Sequence, residues 1–323
     1  MIKVNITGEL EPQAASGGFI CDALSKVMDA DPDVMYLDAD LAGSVGNLKL
    51  FKDYPGRAFD CGIQEANMVG VAAGLSLTGK KPYIHTFASF ATRRTFDQLY
   101  LSVGYAKASV KVFGSDPGFT AGVNGGTHMT FEDMALVRTI PGSTVIDITD
   151  HAMMYDIFMR VKDLPGVVYM RMPRKFTKKV YEMGSEFPIG KGFELRDGKD
   201  VTIIASGLLV TEAYQAAELL EKEGISAQVI NIYTIKPLDR EMVVAAAKKT
   251  GAIVTVENHG IIGGLGGAVC ECLAEEWPTP VLRVGAQDRF GEVGPDASLL
   301  YSVFKMTRED IAAKAKSAIA LKK

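Results

Sequence analysis

Two kinds of apolar pattern alternate along the chain. Short continuous apolar runs at residues 34–37, 83–87, 110–113, 144–148 and 167–170 read as buried strands. Residues 64–77 carry helical spacing, and Gly79-Lys80-Lys81-Pro82 stops it. A second helix is expected over 91–106, and a glycine-rich loop over 114–127. After Arg174 the pattern lapses, and residues 175–192 mix Lys, Glu, Gly and Pro in the manner of a linker. A second alternation follows. Strands are expected at 201–205, 227–232, 253–256 and 281–284, with helices at 211–223, 240–249 and 265–276. The expected fold is therefore α/β, in two domains, each a mostly parallel sheet flanked by helices. The bounds are 1–180 for the first domain, 181–192 for the linker and 193–323 for the second.

Composition narrows the class. Of 323 residues, 47% are hydrophobic and 23% charged, the balance of a soluble globular protein. The net charge of -4 gives no basic surplus for nucleic acid or an anionic membrane. No apolar run approaches the roughly 18 residues that span a bilayer. The stretch from Met1 to Asn5 has no apolar signal core, so a cytoplasmic protein is expected. Cys21, Cys61, Cys270 and Cys272 form no CxxC pair, which fits reduced thiols and no zinc site.

Three clusters could carry chemistry. In the first, Glu65 opens a helix whose next turns are small and nearly uncharged: Ala66-Asn67-Met68-Val69-Gly70-Val71-Ala72-Ala73-Gly74. Desolvation disfavours a charge there and the helix N-terminus favours it. On this segment alone, a capping glutamate on a small-residue packing face is the favoured reading. In the second, Phe87 and Phe90 sit at a strand-to-helix junction and could wall a flat ring, with Arg93 and Arg94 just beyond. In the third, Gly122-Val123-Asn124-Gly125-Gly126-Thr127-His128 lets the backbone approach a ligand and ends on a histidine. This is not a Walker A loop, and Gly263-Gly264-Leu265-Gly266-Gly267 lacks the Rossmann spacing.

Taken in order, these segments resemble the C-terminal half of transketolase over nearly the whole chain. Gly62-Ile63-Gln64-Glu65-Ala66-Asn67-Met68, Thr86-Phe87-Ala88-Ser89-Phe90 and Gly125-Gly126-Thr127-His128 are similar to that family's signatures. So are Ile235-Lys236-Pro237-Leu238-Asp239 and the stretch from Val256 to Gly266. The resemblance implies thiamine diphosphate as cofactor and a pyrimidine-binding domain followed by a C-terminal domain. It implies that Glu65 shares a proton with a ring nitrogen of the aminopyrimidine and so activates the thiazolium carbon. Phe90 would stack on the ring, with Phe87 and Ile63 beside it. His128 would bond the changing substrate oxygens, and Asn124, Arg174 and Arg93 would help bind the sugar.

The family's diphosphate motif, Gly-Asp-Gly, is missing from these residues. The resemblance therefore implies a split enzyme. An N-terminal partner subunit would hold the diphosphate and its divalent metal, magnesium or calcium, with two copies of each chain. The implied activity is transfer of a two-carbon ketol unit between sugars, as in the pentose phosphate reactions. Three departures concern the donor. Gly17 stands where the family has an arginine, Ser115-Asp116-Pro117 replaces a phosphate-binding histidine, and Asn124 replaces an aspartate. An Asp116 carboxylate repels a phosphate, so a donor without the usual terminal phosphate is expected. Arg93, Arg171, Arg174 and Lys175 remain as basic candidates. The competing readings are the beta subunit of a 2-oxoacid dehydrogenase, a deoxyxylulose-phosphate synthase half and a non-catalytic paralogue.

Overall fold

The computed structural model describes residues 10, 12–175, 177–294 and 297–322. The stretch from Met1 to Asn5 and the outer bounds of both expected domains lie outside the described residues. The first sheet is built on β1 (Val34–Asp38), β2 (Ala58–Asp60), β3 (Lys81–Phe87), β4 (Val110–Ser115), β5 (Thr144–Asp147) and β6 (Val167–Met172). The second contains β7 (Phe193–Arg196), β8 (Val201–Ala205) and β9 (Ala227–Asn231). It continues, after β10 (Thr234–Lys236), with β11 (Ile253–Gly260) and β12 (Val281–Ala286). Their orders are β10-β5-β6-β4-β3-β1-β2 and β12-β11-β8-β9-β7. Among the described strands, only β10 and β7 run antiparallel to their neighbours. Strands such as β1, β4 and β8 are buried along their whole length, which is why they read as continuous apolar runs.

Three features depart from the sequence pattern. Strand β10 leaves the second domain and pairs with β5 at the edge of the first sheet. The expected 175–192 linker is packed rather than free. Its Tyr181 and Phe187 are buried, with ring centroids 4.9 Å apart, and the Asp150 carboxylate accepts the Val180 and Tyr181 amides at 2.9 and 2.8 Å. Finally, the helix expected over 91–106 starts earlier and breaks. Helix Ala88–Thr92 ends before a turn at Arg93–Thr95, and Phe96–Gln98 then leads into the π-helical Leu99–Tyr105. Thr92 and Thr95 turn their hydroxyls back onto the Ala88 and Ala91 carbonyls at 2.8 and 2.6 Å. Such back-bonding weakens and bends a helix, and it leaves both arginines on a turn. Among the described residues no helix is long and apolar enough to cross a membrane.

Candidate active site

Ligands of parallel α/β sheets bind beyond the carboxyl ends of the strands, and the candidate residues gather at that edge of the first sheet. β3 ends at Phe87, whose extended backbone starts helix Ala88–Thr92 and so presents Phe90. The Phe87 and Phe90 ring centroids lie 6.0 Å apart. His128 stands edge-on to both, at 6.1 Å from Phe87 and 5.2 Å from Phe90. Glu65 is the first residue of helix Glu65–Leu77 and is 4% exposed. Arg94 donates to its Oε1 at 2.8 Å and lays its guanidinium 3.9 Å over the Phe90 ring. In the sequence Arg94 reads as an anion holder or as part of a solvated helix face; the helix break that swings it to Glu65 has no pattern in apolar spacing.

Arg174 packs on the other ring of this aromatic pair, 5.0 Å over Phe87. Its side chain is bound to the Asp116 carboxylate and donates to the Ser44 carbonyl at 3.0 Å. Its own amide donates to Asp116 Oδ1 at 2.9 Å. Asp116 adopts a left-handed backbone, φ 52°, to make these bonds. Burial pushes its carboxyl above the usual range, and the charge and bonds of Arg174 oppose that. Beneath it runs a buried relay that the sequence pattern does not reveal. His85 Nδ1 is 2.7 Å from Asp38, and His85 Nε2 is 3.0 Å from Ser115 Oγ.

The other candidates sit around this centre. Ile63 is 71% exposed on the turn before Glu65, and Asn124 ends the 3-10 turn Gly118–Asn124 with an exposed side chain. Arg93 pairs with Glu132 at 3.0 Å and donates to the Thr127 and Met129 carbonyls at 3.0 and 3.3 Å, so it binds the backbone of the His128 loop. Arg171 is 1% exposed and saturated by Asp133 and Asp147, which removes it from the basic candidates for substrate. Gly17 is held tightly: a Cβ there would lie 3.3 Å from the Val45 carbonyl group.

The second domain fixes the glycine loop. Asn258 accepts the Phe119 amide at 3.1 Å and donates to the Pro117 carbonyl at 3.0 Å. Glu257 accepts the Leu265 and Gly266 amides at 2.7 and 2.8 Å, capping helix Leu265–Glu276. His259 receives the Ala135 amide at 3.4 Å and donates to the Gly260 carbonyl at 2.7 Å, a structural role. Among the described residues no group of three or more His, Cys, Asp or Glu is arranged to hold a metal ion.

The pyrimidine-binding domain model of transketolase matches residues 14–179, and the transketolase C-terminal domain model matches residues 190–311. The chain belongs to the transketolase family. It is 47% identical to the 6-deoxy-6-sulfo-D-fructose transketolase subunit of Clostridium sp. (strain MSTE9), over 90% of each chain. It is 38% identical to an apulose-4-phosphate transketolase subunit from Phocaeicola vulgatus, over 83% of this chain and 86% of that one. A solved structure described as a split-gene transketolase, an inactive beta4 tetramer, superposes with a TM-score of 0.86 at 39% identity, covering 96% of this chain and 99% of its own. This transketolase chain thus matches separate subunits nearly end to end.

Proposed function

We propose that this chain is one half of a split, thiamine diphosphate-dependent transketolase that moves a two-carbon ketol unit from a ketose donor to an aldose acceptor. The observation that carries the reading is the meeting of Glu65, Phe90 and His128, from three separate segments, at one edge of the first sheet. The site suits a flat, nitrogen-bearing ring, because Phe90 already carries a planar group on its face and Glu65 already accepts from it. When bound, thiamine diphosphate supplies a carbon nucleophile and then a sink for the electron pair of the broken carbon–carbon bond. Glu65 holds a proton against the ring nitrogen. Phe90 stacks on the ring, with Phe87 behind it and Ile63 at its margin. His128 bonds the substrate oxygens as their charge changes, and Asn124 and Arg174 bind the sugar. Arg93 acts on the sugar through the loop it ties down. We assign the diphosphate and its magnesium or calcium ion to an N-terminal partner subunit, in an assembly of two copies of each chain. The relatives favour this reading over a 2-oxoacid dehydrogenase subunit or a non-catalytic paralogue.

The donor follows from charge. A phosphate monoester carries about -1.5 to -2 near pH 7. Gly17 offers it no cation, and Arg174 already shares its charge with Asp116. A ketose ending in a singly charged sulfonate fits this site better, and the Clostridium relative is named for such a sugar. The test combines the chain with its partner and follows ketol transfer. Glu65→Gln should lower turnover by about a hundredfold to ten-thousandfold with an unchanged melting temperature. Turnover near wild type would defeat the assignment of Glu65. In a donor panel, 6-deoxy-6-sulfo-D-fructose should exceed fructose 6-phosphate in kcat/KM. The reverse order would remove the donor assignment while leaving the transketolase reading intact.

A further inference from the structure

We propose that Arg94 is a displaceable occupant of the place where the cofactor ring binds, and that the ring and Arg94 compete for Glu65 and Phe90. The proposal rests on the reading of Glu65 and Phe90 given above. Arg94 makes both contacts assigned to the aminopyrimidine. Its planar guanidinium covers the Phe90 face at 3.9 Å, and its Nη1 donates to Glu65 Oε1 at 2.8 Å. One flat group excludes another from that pair of contacts.

The arrangement answers a physical need. The Glu65 side chain is 5% exposed. Among the described residues, Arg94 is the sole hydrogen-bond donor to its carboxylate. A buried carboxylate left without a donor is costly, so a chain without cofactor requires a substitute partner there. Arg94 is suited to leave, because its side chain is 49% exposed and it sits on the turn between two helical pieces. Arg93 beside it is not, being tied to Thr127, Met129 and Glu132. The exchange therefore needs only one side chain to move.

The test is direct binding. Thiamine diphosphate with magnesium is titrated calorimetrically into the assembled pair carrying wild-type chain, Arg94→Ala or Arg94→Gln. Removing a half-exposed ion pair and a cation–π contact from the free state should tighten the cofactor by about tenfold. Arg94→Gln keeps the first three side-chain carbons and a polar end without the charge and should also tighten it, so it serves if Arg94→Ala does not assemble. Binding equal to or weaker than wild type in the variants overturns the proposal and leaves the transketolase reading standing. A wild-type pair that binds no thiamine diphosphate overturns both.

Discussion

His151 is 2% exposed, its ring stacked on Phe19 at 4.0 Å and its Nε2 3.0 Å from Ser16 Oγ. Burial lowers its pKa to about 4, while in an unfolded chain a histidine titrates near 6.5. Between those values the unfolded state binds a proton that the native state does not. Stability is therefore complete above about pH 6.5 and is lost as the pH falls toward 4. His151→Phe retains the stack without the titrating nitrogen. Between pH 7 and pH 4 the wild type should lose on the order of 2 kcal/mol more than the variant. Urea denaturation at both pH values measures the difference, and equal losses would contradict it. At this scale the candidate site was only partly legible. Glu65, Phe90 and His128 stand in short motifs that could be read in order. Arg94 and the His85 relay are defined by tertiary contacts between segments, which no local spacing encodes.

Among elements, strands buried on both faces announced themselves as apolar runs, so β1, β4, β8 and β9 were readable. β10 was not, because three residues joining a distant sheet edge carry no periodicity of their own. The break after Thr92 was hidden for another reason: threonines lie on both helical and broken segments, and only their hydroxyl bonds tell the two apart. The glycines around the start of helix Leu265–Glu276 are of two kinds. A Cβ on Gly264 would come within 2.1 Å of the Glu257 carboxylate that caps the helix and 2.7 Å from His259. On Gly267, inside the helix, it would meet nothing closer than 3.7 Å. Gly264→Ala should destabilise the protein by about 3 kcal/mol. Gly267→Ala should leave stability unchanged or raise it by about 0.5 kcal/mol, since alanine is the better helix residue. Denaturant midpoints compare the two, and similar shifts in both would show that the cap geometry does not govern this turn.

One buried cation bridges the two sheets. Arg171, next to the end of β6 in the first sheet, pairs with Asp133 at 2.7 Å and Asp147 at 3.0 Å, and donates to the Asn258 carbonyl of the second domain at 2.8 Å. Ser206 of the second domain donates to the same Asp147 at 2.7 Å. Asn258 is also the residue that holds the loop at Pro117–Phe119, beside the Asp116 that grips Arg174. Domain contact and site geometry therefore share one set of bonds. From this coupling the two domains should melt together in a single calorimetric transition. Arg171→Met leaves two carboxylates buried without their cation, and removing one partner of such a cluster costs about 3–5 kcal/mol. The transition should fall accordingly. Adding Asp133→Asn and Asp147→Asn to that variant removes the stranded charges and should recover part of the loss. Two separate transitions in the wild type, or a triple variant no more stable than Arg171→Met, would show that the domains are joined by apolar packing and β10 rather than by this cluster.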